Sequence, residues 1–196
     1  LNLILATFSD QAVTVLGLYY KWQSFFFIPL GSMQTCIVPV VSYNYAARNI
    51  GRCKKTLVTA IVFGMALMFL GTLCFEIIPG PMLRVFSSDE KVIEIGVTAF
   101  RIIGISFIPL VSSLTFPVFF QAVGWSLKSS LLTVFRPVVL FVPLAFIFSR
   151  IGGLDWFWLT FPVTDSLSTL LGFIWYKKLM RRPYASGKNP DDAQKP

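Results

Sequence analysis

The 196-residue sequence contains no histidine and only three cysteines, Cys36, Cys53 and Cys74, none of them in a CxxC pair. Histidine-containing zinc sites and histidine-dependent nucleophilic triads are therefore excluded within this chain. The cysteines read as small packing residues. Charge is scarce: 13% of residues carry one, against about 25% in a soluble domain, so most of this surface cannot be wetted. Acids are the rarer sign, 9 against 17 lysines and arginines, for a net charge of +8. No cluster of acids offers a metal site, and no GxxxxGK[ST] stretch is present to cradle a nucleotide phosphate. The missing histidine and acid cluster disfavour an integral-membrane enzyme, and the missing nucleotide signature leaves an ion gradient as the expected driving force. Alternation of polar and apolar residues is missing too, which argues against barrel strands.

What the chain has instead is hydrophobicity. It is 55% hydrophobic with a mean hydropathy of +0.71, and 20 of its residues are phenylalanine. A membrane-spanning helix needs roughly 20 mostly apolar residues. Residues 1–8 are apolar but too short to span, and the chain opens on Leu1 in mid-segment, which suggests a fragment. Longer apolar runs follow at about 11–45, 57–78, 92–119, 131–148 and 156–176. The expected fold is thus all-α, a polytopic membrane helix bundle with the remnant of one helix plus five transmembrane helices. One boundary stays open. A turn at Ser9-Asp10 makes the second helix about 36 residues long, roughly 54 Å. A turn at the aromatic cluster Tyr19-Tyr20-Lys21-Trp22 splits the same stretch in two.

Basic residues sit in clusters between the apolar runs. The 46–57 connection has Arg48, Arg52, Lys54 and Lys55 with no acid; the 121–136 connection has Lys128 and Arg136; Lys177, Lys178, Arg181, Arg182, Lys188 and Lys195 follow the last run. The alternate connections hold Arg84, Lys91 and Arg150, offset by Asp89, Glu90 and Asp155. A bias of about four to one places the first set, and the C-terminus, on the cytoplasmic side of the cell membrane. Clustering of this kind reads as membrane topology and not as a nucleic-acid surface. Residues 183–196, polar and proline-containing, are expected to form a disordered cytoplasmic tail.

Three stretches carry a resemblance. PLGSMQTCIVPVVSYNYAARN, residues 29–49, resembles the pattern G-x-x-Q-x-x-x-x-P-x-x-x-Y-N-Y-G-A through Gly31, Gln34, Pro39, Tyr43, Asn44, Tyr45 and Ala47, with Ala46 in place of the usual glycine. FFQAVGWSLKSSLLTVFRPVVLFVPL resembles a second pattern through Gln121, Gly124, Arg136 and Pro143; FPVTDSLSTLL resembles a third through Pro162 and Asp165. Together these are similar to the MATE (multidrug and toxic compound extrusion) transporters, in their MepA- and DinF-like branch. The resemblance implies a C-terminal lobe over residues 1–182, lacking most of its first helix, from a twelve-helix fold of two lobes. It favours the turn at Ser9-Asp10 and makes Asp10 a helix cap. It also implies a missing N-terminal lobe, amphipathic or cationic small-molecule substrates, membrane lipid as surroundings, and no cofactor beyond a transported H+ or Na+. NorM-like relatives use carboxylates on the first and fourth helices of this lobe for sodium, yet here the fourth helix has no interior acid, since Glu94 lies at its mouth. DinF-like relatives couple through an acid of the other lobe.

Ionisable groups inside a bilayer are costly and mark candidate sites. Asp165 lies about ten residues beyond Asp155, hence about 15 Å below the surface and near mid-membrane. A carboxylate there is suited to ion coupling or substrate contact, or else to a structural bond with a neighbouring helix. Arg101 and Lys21 are expected to pair with Asp165 or Glu76, or to face a cleft; Gln34 is a candidate substrate contact. Asn44 and Gln121 suit gating or packing through bonds across helices. Pro29, Pro39, Pro109, Pro117, Pro137, Pro143 and Pro162 free carbonyls and permit bends. The Phe25–Phe27 run and the pair Phe119 and Phe120 are expected to meet lipid or line a cleft. The resulting expectation is a cation-coupled antiporter exporting xenobiotics, the alternative being a flippase for lipid-linked sugars that would use Lys21 and Arg101 against a pyrophosphate.

Overall fold

The computed structural model describes residues 2–180, which are helical nearly throughout, with no strand among them. Helix α1 (Asn2–Ala6) ends where Ser9, in an extended conformation, accepts a hydrogen bond from the Ala12 amide at 3.1 Å. That cap satisfies an orphan N–H and is worth about 1 kcal/mol. It settles the boundary that composition left open: α2 (Asp10–Ala46) runs uninterrupted through Tyr19–Trp22 for 37 residues, about 55 Å at 1.5 Å per residue. Ser9 is the cap, and Asp10 is the exposed first helical residue.

The turn into α3 (Ile50–Ile77) is short, and the Asn49 side chain accepts from the Arg52 amide at 3.2 Å to start that helix. The left-handed backbone it requires falls on Arg48, at φ 57°. Ala46 remains helical, so the missing glycine costs nothing there. At the opposite end Pro79 opens the short α4 (Pro79–Arg84), a position where its absent N–H is unneeded. Helices α5 (Glu90–Gly104) and α6 (Phe107–Ala122) follow, set at 52° to each other. The apolar run 92–119 is therefore bent, one of the stretches where a proline permits it. Pro109 stands in the first turn of α6 just past the break, where its missing N–H is unneeded and where it cannot continue the hydrogen-bond ladder of α5.

Helix α7 (Ser126–Val134) passes through a π-helical segment (Phe135–Phe141) into α8 (Val142–Met180). Pro137 sits in the widened turn. Gly153 interrupts α8 at φ 70° and ψ −149°, a backbone that glycine reaches without a Cβ penalty. This is a hairpin and not a long rod. Ring centroids of Phe141 and Phe161 lie 4.8 Å apart, whereas a straight helix would separate them by about 30 Å. Residues 10–46, 50–77 and 126–180 are each long and apolar enough to cross a membrane, and the bent pair α5–α6 makes a fourth such unit. Dividing 126–180 at Gly153 gives the five expected crossings.

Helix ends thus collect at two faces. One carries the 47–49 and 123–125 turns and the end of α8; the other carries the 7–9, 78–89 and 152–155 turns. The first will be called the basic end, the second the far end. Two apolar clusters fill the bundle. Toward the far end Phe75 stacks on Phe100 at 4.6 Å and meets Tyr19 edge-on. Toward the basic end Phe119 and Phe120, both fully buried, meet Tyr176 and Trp175. Phe119 and Phe120 therefore face the protein interior and not lipid or a cleft. Phe25 is largely exposed, and Phe26 and Phe27 are half-buried.

Candidate functional site

Asp165 is buried at 1% exposure on the second arm of α8, and Arg136 in the π-helical segment donates from Nε to its Oδ1 at 2.6 Å. The two residues are 29 apart in sequence and meet because Gly153 folds one arm back on the other. Arg136 lies about 15 Å in from the start of α7, and Asp165 about 18 Å in from Gly153, so the pair sits near the middle of the bundle. Two opposite charges at this depth neutralise one another, and either one alone would carry a desolvation cost of several kcal/mol. Arg136 lies within the π-helical segment, a local geometry frequent at functional sites. Tyr19 of α2 lies within electrostatic reach of both charges, and Tyr20 within reach of Arg136.

Around this pair the second arm of α8 carries a column of buried hydroxyls. Thr160, Thr164 and Ser168 recur every four residues, so they share one helix face. All three are buried, and none of their hydroxyls finds a partner among the described residues. The Trp158 indole N–H and the Ser113 hydroxyl of α6 are likewise buried without a partner among the described residues. Thr169, by contrast, donates to the Pro109 carbonyl at 2.7 Å and ties α8 to α6.

The cations expected to meet Asp165 do not. Lys21 is exposed and reaches over the Phe86 ring at 4.8 Å, its stem snorkelling toward the far end. Arg101 is exposed in the last turn of α5 and makes no ion pair among the described residues. Glu76 is half-buried and likewise outside any ion pair there. Arg136 had been counted among the loop cations and as a motif residue; it is inside the bundle and is the partner of the acid. The signal was present in the sequence. Gly152-Gly153 between two apolar runs marks a turn, and Arg136 and Asp165 lie 17 and 12 residues from it. The offset of five residues is about 7.5 Å, within reach of an arginine side chain.

Asn44 is buried but donates to the Val40 carbonyl of its own helix at 2.7 Å, not across helices. The bond from α2 to α6 at this level comes from Ser42, which donates to the Ala122 carbonyl at 3.0 Å. Gln34 is half-buried with its amide nitrogen unpartnered. Gln121 is exposed and lines a polar cavity of about 340 Å³ with Ser129 and Thr133. Gly124 ends the motif at φ 79°, where a side chain would be strained. Pro143 is exposed near the start of α8 and Pro162 half-buried in its second arm. Gly31, Pro39 and Tyr43 lie on an uncovered stripe of α2 that also shows Ser32, Thr35 and Cys36. Among the described residues no three potential metal ligands come together. The expected tail, 183–196, lies outside the described residues.

The family model MatE matches residues 1–147. The chain belongs to the MATE family. A solved MATE transporter of the MOP superfamily, in its outward-facing conformation, superposes with a TM-score of 0.86 at 21% identity, over 91% of this chain and 41% of that one. The "FAD transporter" of Shewanella oneidensis is 24% identical over 164 residues, 84% of this chain and 36% of that protein. The multidrug export protein MepA of Staphylococcus haemolyticus is 22% identical over 154 residues, 78% of this chain and 33% of that protein. The chain spans roughly a third of the length of the curated relatives it matches. It is a multi-pass membrane protein with a MATE transporter fold.

Proposed function

We propose that this chain forms the C-terminal lobe of a cation-coupled antiporter, driven by H+ or Na+, that exports amphipathic or cationic compounds across the cytoplasmic membrane. The observation that carries the reading is the Arg136–Asp165 pair, a buried carboxylate near mid-membrane held by one arginine. A carboxylate so placed can exchange its partner for a proton, a sodium ion or a cationic substrate, because only one counter-charge at a time balances it. The unpartnered hydroxyls of Thr160, Thr164 and Ser168 beside it supply neutral oxygen ligands or a hydrated path for such an exchange. Gly31, Pro39 and Tyr43 on the uncovered stripe of α2 give the lobe a face for a cleft shared with a second lobe. One curated relative is named for multidrug export and the other for FAD transport, and both names support organic cargo. A flippase is not favoured: Lys21 sits over Phe86 toward the far end, and the interior arginine is already neutralised.

In the full-length parent, Asp165→Asn removes the exchangeable charge while keeping the shape. Drug efflux should fall at least about tenfold, a change of about 1.4 kcal/mol in the transport barrier, when compared at equal amounts of protein in the membrane. Undiminished drug resistance at equal expression removes Asp165 from the mechanism.

A further inference from the structure

A groove of about 500 Å³ lies between α2 and α3 at the basic end, away from the Arg136–Asp165 pair. Its walls are apolar for most of their length: Met33, Ile37 and Val40 from α2, Ala60 and Phe63 from α3. Its mouth is not. Arg52 and Lys55, one turn apart on the first two turns of α3, close the groove at the membrane surface. Both are exposed, and no carboxylate pairs with either among the described residues. Every described acid other than the buried Asp165 lies at or toward the far end: Asp10, Glu76, Asp89, Glu90, Glu94 and Asp155.

The dimensions select an occupant. From Arg52 to Phe63 is 11 residues of helix, about 16 Å, and half the hydrocarbon thickness of a bilayer is about 15 Å. The groove is as long as one leaflet is deep. On the outward side α3 presents Val58, Val62 and Phe63, all more than half exposed, a surface suited to acyl chains and not to water. An occupant must therefore be apolar over one leaflet, anionic at its surface end, and able to enter from the side.

We infer that this groove holds one anionic phospholipid, an acyl chain along Met33, Ile37 and Phe63 and the phosphate between Arg52 and Lys55. Basic pockets between helices on the cytoplasmic side are where anionic headgroups are held, each cation contributing on the order of 1 kcal/mol. The inference rests on the basic end facing the anionic leaflet, and it is independent of what the transporter carries.

The test uses the full-length protein, stripped of lipid in a mild detergent. Phosphatidylglycerol and phosphatidylcholine of identical acyl chains are added, and bound lipid is counted by native mass spectrometry. Phosphatidylglycerol should be retained about thirtyfold over phosphatidylcholine, as expected for two cations. Arg52→Gln with Lys55→Gln should abolish the preference while the unfolding temperature in detergent is kept. Ala60→Phe, which fills the apolar wall, should release both lipids. Glycerol phosphate, the headgroup without chains, should fail to compete at equal concentration. Equal retention of the two lipids overturns the proposal, as does a preference that survives the double substitution. Competition by glycerol phosphate at the lipid's own concentration overturns it in favour of a simple phosphate site, and lipid retention unaffected by Ala60→Phe overturns it in favour of binding elsewhere.

Discussion

Arginine occurs in two settings in this molecule, and the contrast separates what holds the fold from what meets its surroundings. Arg136 is inside the bundle, three-quarters buried, with a carboxylate at 2.6 Å. Arg52 is at the basic end, exposed, beside Lys55 and far from any described acid. In the first setting the charge is tolerable only because its partner is present; in the second, water and lipid headgroups screen it. The same side chain is thus a liability at depth and an anchor at the surface. Removing it should give opposite signatures.

The largest effect belongs to the buried pair. Replacing Arg136 by Met leaves Asp165 buried beside apolar neighbours, and breaking such a pair costs about 3–5 kcal/mol. Thermal unfolding of the purified protein should register that loss. Replacing both residues, Arg136→Met with Asp165→Leu, removes the uncompensated charge and should recover most of the stability while transport stays absent. A double variant as unstable as the single one would mean that the pair is not coupled. A double variant that transports would mean that the pair is purely architectural.

A smaller effect belongs to the turn that brings the pair together. Gly153 holds φ at 70°, where an added Cβ costs about 1–2 kcal/mol. Gly153→Ala should lower the unfolding free energy by that amount. Because Arg136 is offset from Asp165 by five residues across the hairpin, a shifted turn should also disturb their register. Transport should therefore fall by more than the stability loss alone explains. If activity follows stability alone, the hairpin geometry is looser than the 2.6 Å contact implies.

Much of this architecture was legible in the residues, for reasons that differ along the chain. The five crossings could be read because lipid exposure leaves apolar runs with no compensating alternation; the turn at Ser9-Asp10 could be read from its capping residue types, but the cap was placed on Asp10 and is Ser9. Pro109 was legible as one of seven prolines that permit a bend, but nothing in the residues singled it out from Pro29 or Pro39. A proline in a membrane helix frees a carbonyl, and only the packing of neighbouring helices decides whether the helix then bends or stays straight: α2 continues through both Pro29 and Pro39, whereas α5–α6 breaks. Asp165 was recognisable as costly, but its partner was sought in Lys21 and Arg101, whose sequence positions say nothing about which face they occupy. Arg136 was counted as a loop cation because a run of serines and a lysine precede it. The hydroxyl column of Thr160, Thr164 and Ser168 was missed, since single threonines and serines in apolar helices usually bond their own backbone, as Thr115 does to Val111 at 2.7 Å.

The smallest expected effect completes the comparison from the other side. Arg52→Ala and Lys55→Ala, measured in detergent free of anionic lipid, should leave the unfolding free energy within about 0.5 kcal/mol of the parent, as surface changes away from special features do. The Asn49 cap is a side-chain oxygen bonded to the Arg52 backbone amide, which alanine retains, so the helix start is untouched. The two like charges one turn apart repel weakly, and their loss offsets any favourable packing of the long stems. A destabilisation near that of Arg136→Met would show that Arg52 and Lys55 have partners inside the whole protein, and the division between interior and surface arginine would then fail at the basic end.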